Sequence, residues 1–370
     1  MEYKIIAIGN SYKKVPFLSK IIEYFSGYPK LEYVCWSRGD ASSDSLDSDI
    51  EVNVLYSKDP KSRIAMLWSY FVWWIKVFWF CLYRIENKCT VFSSRFDVAS
   101  AVFCASIFNR NVRYIYFDRD AYHMSYNFSF FTKIITFFEK IVSVNAVIHI
   151  VPGFSRDFTN SDNVRILPNT PSKNIFESAI LFSKNLKRDT HFTVYVNGWL
   201  KSTRGFFMIR SAIKNVNSNI RFILAGDSSN PNIQELSRMA NVDYLGHLSS
   251  TEALSYYFVS DLVLSFYDPS VLINKKAEPN KWYDCAFSGT RFVTNYGIDT
   301  FDFFRNCPGC YSIDYGDSDA LVALISQLAS KKESGDLNKI NPYFLELDLK
   351  YWDIRLDEII SESLGVSTDF

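Results

Sequence analysis

The sequence predicts an α/β protein built from two doubly wound domains, each a parallel sheet covered by helices on both faces. Three observations carry this. The chain has 370 residues, and a domain usually takes roughly 100–200. Short apolar runs alternate with helical spans twice along the chain, as crossover connections require. A break at Pro168-Asn169-Thr170-Pro171, followed by a polar stretch to Thr190, separates the two series.

In the first series Lys4–Ile8 reads as a strand, and Gly9-Asn10-Ser11 turns into a helical pattern over Val15–Phe25. Leu31–Cys35 and Glu51–Leu55 are strand-like, and another strand ends at Val91-Phe92-Ser93. Val98–Phe108 reads as a helix, Arg113–Phe117 as a strand, Phe130–Val142 as a helix and Ala146–Val151 as a strand. In the second series the strands are Phe192–Val196, Ile220–Ala225, Val242–Leu245, Leu262–Phe266 and Arg291–Thr294. The helices between and after them are Gly205–Lys214, Asn232–Met239, Thr251–Ser260, Lys281–Ser288 and Ala320–Ser330. Ligands of such sheets bind beyond the carboxyl ends of the strands, so functional residues are expected just after each one. A last helical stretch, Tyr351–Leu364, follows when the second sheet is complete and can cross back to the first domain.

Ile64–Ile85, IAMLWSYFVWWIKVFWFCLYRI, is apolar enough to span a bilayer, which takes about 20 residues. It falls between two expected strands of one sheet, so a span would put those strands on opposite sides of the membrane. Two other readings fit and are compatible. One is a helix buried on one side in the first domain. The other is a helix lying at a membrane surface, with Trp68, Trp73, Trp74 and Trp79 at headgroup level and Lys61, Arg63, Lys76 and Arg84 facing anionic lipid.

The 40 basic and 40 acidic residues cancel, which removes any overall electrostatic reason to bind nucleic acid. Aromatic residues are abundant, with 32 Phe, 23 Tyr and 8 Trp, and suit cores, sugar contacts or a membrane surface. The opening MEYKIIAIGN reads as a first strand and not as a secretory leader, and the seven cysteines are an odd number, so a reducing, cytoplasmic setting is expected. Cys307-Pro-Gly-Cys310 has no second ligand pair for a metal and reads as structural thiols.

Three patterns in the second series point to chemistry. Asn197-Gly198-Trp199-Leu200-Lys201, then Arg204-Gly205, is a strand, a glycine turn, basic residues and a helix start, which can present amides and a cation to a diphosphate. The run from Phe222 to Leu264 is mostly scaffold. Gly226 and Gly246 allow tight strand exits there, and His247 is either a ligand neighbour or an ordinary loop histidine. The third runs from Tyr267-Asp268-Pro269 through Glu278-Pro279-Asn280-Lys281-Trp282-Tyr283-Asp284 to Ser288-Gly289, where Pro279 suits a helix start. Asn280 and Lys281 then sit where the dipole favours an anion, and Asp284 follows one turn later on the same face. Lys281 could balance phosphate charge while Asp284 accepts from ribose hydroxyls. On spacing alone an exposed ion pair fits equally well.

In this order the three patterns resemble the donor-binding domain of GT-B glycosyltransferases, in particular the family 4-like bacterial enzymes of surface-polysaccharide assembly. The resemblance is good from about Val194 to Gly297, with EPNKWYDCAFSGTRFVTN its most specific line, and looser elsewhere. It implies two Rossmann-like domains facing a cleft: an acceptor-binding domain over 1–170, a nucleotide-sugar domain over 190–345, and a 346–370 segment packing back on the first. It implies donor contacts from Gly198, Arg204, Gly226, His247, Asn280, Lys281 and Asp284, with Lys281 also catalytic. Two positions depart from the pattern. Trp199 stands where arginine is frequent, and Lys276 stands where the first of a pair of acids would fall, with Glu278 out of register. Diphosphate contacts then fall to Arg204 and Lys281.

In the first domain Tyr116-Phe117-Asp118-Arg119-Asp120-Ala121-Tyr122-His123 follows a strand. Asp120 or His123 could orient or deprotonate an acceptor hydroxyl, or Asp120 could simply cap a turn. Gly9, Asn10 and Ser11 would form the opposite, acceptor-side loop. The implied reaction moves a hexosyl group from a nucleotide sugar, UDP-linked by preference, to a lipid-linked or saccharide acceptor of capsule, O-antigen or exopolysaccharide synthesis. It would retain anomeric configuration and need neither metal nor cofactor, since fixed cations meet the leaving diphosphate. The protein would sit peripherally on the inner face of the cell membrane. A nucleotide-sugar epimerase and a non-catalytic sugar-binding scaffold are the alternatives.

Overall fold

The structure is a computed structural model and describes residues 4–9, 20–21, 24, 31–38, 51–125, 132–226 and 231–364. By their internal contacts the residues group into two units, Met1–Leu167 with Leu356–Phe370, and Pro168–Arg355. Each unit holds one sheet.

The first sheet consists of β1 (Lys4–Gly9), β2 (Leu31–Ser37), β3 (Glu51–Ser57), β4 (Cys89–Ser93), β5 (Val112–Phe117), β6 (Ile148–Val151) and β7 (Val164–Ile166). Its order is β3-β2-β1-β4-β5-β6-β7, and every pairing among the described residues is parallel. β4 is buried at all five positions, as a central strand covered on both faces must be. The helix expected over 15–25 lies largely outside the described residues.

The long apolar segment forms one helix, Arg63–Tyr83, whose N-cap Ser62 accepts from the Ala65 amide at 3.2 Å. Asn109 closes its far end, donating to the carbonyls of Cys81, Leu82 and Ile85. Trp73, Val77, Phe80 and Cys81 are buried in the core of this unit, against Val34 and Trp36. The opposite face is open: Ile64 is 82% exposed, Leu67 72% and Trp68 59%. The four tryptophans expected at a membrane surface therefore divide. Trp73 is core, Trp74 is half-buried and donates to Ser100 Oγ at 3.0 Å, and only Trp68 and Trp79 face outward. β3 and β4 flank this helix and share one sheet, so the segment packs as part of the unit.

The second sheet consists of β8 (Thr193–Gly198), β9 (Arg221–Gly226), β10 (Val242–Tyr244), β11 (Leu262–Leu264), β12 (Arg291–Asn295) and β13 (Cys310–Ile313). Its order is β10-β9-β8-β11-β12-β13, again parallel throughout. Strand alternation fills two cores: Val194 and Val196 of β8 enter one, Tyr195 the other. The strand order reverses between β8 and β11, which is where a crevice opens in such sheets.

Three local differences from expectation have physical causes. β13 and β7 are four and three residues long, too short to show a period. The stretch after Pro171, expected to be weakly structured, contains the helix Lys173–Ser183. Its Phe176 and Ala179, one turn apart, are buried beside Phe258, Phe287 and Tyr351, so tertiary burial stabilises a helix that its polar composition conceals. The final helix, Trp352–Leu364, runs from the second unit into residues that group with the first.

Candidate functional site

The reversal point of the second sheet gathers residues far apart in sequence. β8 ends at Gly198, whose φ of +90° disfavours any side chain. A Cβ there would stand 3.6 Å from Lys281 Nζ, so the lysine lies directly over the end of β8. Gly226 ends the neighbouring β9 at φ +142°, and a Cβ on it would fall 2.0 Å from the Gly198 carbonyl oxygen. The two strand ends meet because neither carries a side chain. The Gly226 amide donates to the Gly246 carbonyl at 2.8 Å.

From Gly198 the chain enters a short 3-10 turn, Ser202–Arg204, and then the helix Phe206–Asn215. Two ties hold this loop. Tyr315 donates from its hydroxyl to the Ser202 carbonyl at 2.8 Å, and the Asp268 amide donates to Thr203 at 3.1 Å. Arg204 lies over the ring of Tyr267, its Cζ 4.3 Å from the centroid. One guanidinium nitrogen, Nη1, is buried and has no hydrogen-bond partner among the described residues. Tyr267 is in turn clamped by Asn295, which accepts from its amide at 2.8 Å and donates to its carbonyl at 2.9 Å.

Lys281 is in the first turn of the helix Asn280–Ser288, where Pro279 occupies the N-cap and no side chain caps the free amides. Trp282, fully buried, stacks on Phe292 of β12 with centroids 5.4 Å apart and fixes this helix to the sheet. Burial pushes the Lys281 ammonium down to about 8, Arg204 pushes the same way, and Asp284 and Cys285 oppose them. Among the described residues no hydrogen bond or ion pair engages that ammonium. Two cations are thus held at the end of a strand beside uncapped helix amides, an arrangement that an anion relieves.

Asp284, half-buried one turn on, is close enough to act electrostatically on Lys281, Tyr195 and Tyr257. Asn280 is exposed at the helix start, and His247 is exposed just beyond β10. Glu278 is committed to the fold: its carboxylate accepts from the Tyr283 hydroxyl at 2.8 Å and from Thr300 Oγ1 at 2.9 Å. It does not substitute for the acid missing at Lys276. Trp199 is 67% exposed with Lys201 Nζ 4.4 Å above its ring, so it adds no charge under the strand end. Tyr267 and Asn295 lie within the stretches singled out in the sequence but without a role, and Tyr315 lies outside them. Each acts by positioning the loop, and no local pattern links them to Arg204.

In the first unit Gly9 ends β1, while Asn10 and Ser11 lie outside the described residues. Ser94, just past β4, donates to the Ile8 carbonyl through its hydroxyl at 3.1 Å, which locks β1 to β4 at the reversal point of this sheet. Asp120 and His123 have different surroundings. Asp120 is 54% exposed and pairs with Arg95 at 3.6 Å. His123 Nδ1 lies 2.8 Å from Glu139 Oε2. Glu139, wholly buried, also accepts from the amides of Tyr122 and His123 at 3.1 and 2.9 Å. Burial pushes its carboxyl up, while the His123 hydrogen bond pulls it down. Glu139 therefore fixes the turn that carries His123 and orients its ring. Glu139→Ala leaves two backbone amides without an acceptor, each costing about 1–3 kcal/mol when buried. Urea unfolding should show a loss of about 2–6 kcal/mol for the two together.

No family model and no curated protein matches the sequence. Solved structures do match over nearly the whole chain. Anabaena HepE in complex with UDP-glucose superposes with a TM-score of 0.68 at 13% identity, covering 98% of this chain and 100% of its own. The apo form of the lipopolysaccharide outer core galactosyltransferase WaaB gives 0.63 at 13%, covering 97% and 99%. Sucrose-phosphate synthase of Thermosynechococcus elongatus gives 0.62 at 12%, covering 98% and 97%. The two parallel sheets and these likenesses establish the GT-B fold.

Proposed function

We propose that the chain is a glycosyltransferase that binds a nucleoside-diphosphate sugar, UDP-linked, at the carboxyl ends of β8 and β11 in its second unit. The observation that carries this is a pair of neighbouring cations, Lys281 directly over Gly198 and Arg204 over Tyr267 close enough to act on it, with no ion pair to Lys281 among the described residues. The neighbours support the choice of ligand, since HepE structures hold UDP or UDP-glucose. In this reading the diphosphate lies across Gly198 between the two cations, and Asp284 accepts from the ribose. Departure of UDP builds charge on the oxygen facing Lys281, and preorganised cations stabilise that charge without reorganisation. No metal is needed for this step. The acceptor is a lipid-linked or saccharide hydroxyl met by the first unit, where His123, oriented by Glu139, or Asp120 takes its proton. The protein works at the inner face of the cell membrane in surface-polysaccharide synthesis, with retention of configuration.

Calorimetric titration with UDP tests the site, because Lys281 gives binding a specific pH dependence. In the free protein its proton leaves near 8, whereas a bound diphosphate holds it on. Affinity should be constant below pH 8 and fall up to about tenfold per unit above it. Proton uptake on binding should be near zero well below pH 8 and approach one per UDP above it. Stability of the free protein should run the other way. Because the folded state holds this proton less tightly than the ordinary 10.5, stability rises with pH between about 8 and 10.5. A flat affinity profile across pH 7–9.5 would remove Lys281 from the diphosphate site.

A further inference from the structure

The first unit contains a cavity that the donor site does not use. It measures about 860 Å³ and lies between the first half of the Arg63–Tyr83 helix and the start of the Phe96–Phe108 helix. Met66, Leu67, Phe71, Trp74 and Phe96 supply apolar walls, and Lys61, Arg63 and Arg95 bring three cations to it, Arg95 already paired with the carboxylates of Asp97 and Asp120, which leaves a net excess of one positive charge. Such walls leave sugar hydroxyls or a nucleotide base without partners. They suit a hydrocarbon chain, and the excess of positive charge suits an anionic head on that chain.

The position of Arg95 links this cavity to the acceptor side. It follows β4, beside β1 at the reversal point of the first sheet, and it pairs with both Asp97 and Asp120. Tyr122, from the same turn as His123, also lines the cavity. The cavity therefore reaches the loop that carries both candidate acceptor residues. Around it Ile64, Leu67, Trp68 and Phe71 are exposed, so a chain leaving a bilayer would meet apolar surface all the way in.

We propose that this cavity takes the hydrocarbon chain of a lipid phosphate or diphosphate, with Lys61, Arg63 and Arg95 around its phosphate. Naming that lipid as the acceptor rests on the glycosyltransferase reading; the binding itself rests on the cavity alone.

Calorimetry on the full chain with octyl phosphate, below its micelle concentration, tests this against octanol and inorganic phosphate. One saturable site is expected, with octyl phosphate at least about tenfold tighter than either comparator. The double variant Lys61→Glu, Arg63→Glu should lose that preference and still bind octanol, and Leu67→Asp should lose both. Both variants should titrate with UDP like the parent, which shows that they fold. Equal binding of octanol and octyl phosphate would overturn the proposal. So would unchanged binding in the variants, or an interaction seen only when the lipid is in vesicles, which would mark a membrane-adhering surface instead. If UDP fails to bind while octyl phosphate does, the donor reading falls and the cavity assignment stands; the opposite pattern reverses this.

Discussion

Replacing Lys281 by alanine should weaken UDP binding sharply and leave the fold as stable as before, or more so. The first half follows from charge. A charge-assisted contact to a diphosphate contributes about 1.5–3 kcal/mol, so affinity should fall by roughly 10- to 100-fold. Turnover should fall by about 10²–10³, because the leaving group carries more charge in the transition state than in the donor. The second half follows from burial. The ammonium is pushed down by burial and by Arg204, and nothing among the described residues pairs with it. Removing a half-buried charge that desolvation and Arg204 both disfavour, and that Asp284 offsets only in part, relieves the free protein. A lysine kept for structure would behave in the opposite way, losing melting temperature on substitution and leaving UDP affinity unchanged. Thermal unfolding with and without UDP reads both quantities, since a ligand stabilises only the state that binds it. Lys281→Arg should keep part of the affinity and flatten its pH dependence.

Gly226→Ala should be far more damaging to stability than any other substitution of a strand-end glycine in this unit that meets open space. Its φ of +142° is disfavoured for alanine, and its Cβ would lie 2.0 Å from the Gly198 carbonyl oxygen, a backbone atom that can move only by shifting β8. Backbone strain of this kind costs about 1–3 kcal/mol, and the overlap adds to it. A loss of more than about 3 kcal/mol in urea unfolding is expected. UDP binding should fail even at temperatures where the variant is folded, because the end of β8 lies under Lys281. Gly246→Ala is the control. Its φ is +68° and nothing lies within 4 Å of its Cβ position, so it should cost only about 1 kcal/mol. Equal stability of the two variants would mean that the strand ends are not in contact.

Long, periodic elements were legible in the sequence, and so were the residues that open the second site. Gly198, Lys281 and Asp284 could be placed because each follows a strand or starts a helix, positions where open sheets bind ligands. Spacing could not decide between a site and an ion pair for Lys281 and Asp284. That choice depends on burial and on Arg204, which arrives from another loop. The roles of Tyr267, Asn295 and Tyr315 were hidden for the same reason, since they act through contacts that sequence distance conceals. The four tryptophans of the Arg63–Tyr83 helix show a different limit. Composition marked all of them as candidates for a membrane surface, but only packing separates buried Trp73 from exposed Trp68. His123 and Asp120 stand three residues apart and looked interchangeable, yet one is fixed by the buried Glu139 and the other pairs with Arg95 in the open.

A crystal of the chain soaked with UDP should show the diphosphate across the end of β8, within hydrogen-bond reach of both Lys281 Nζ and the Arg204 guanidinium, with the ribose hydroxyls at Asp284. UDP bound elsewhere, or bound here with Lys281 turned away from the phosphates, would contradict this assignment.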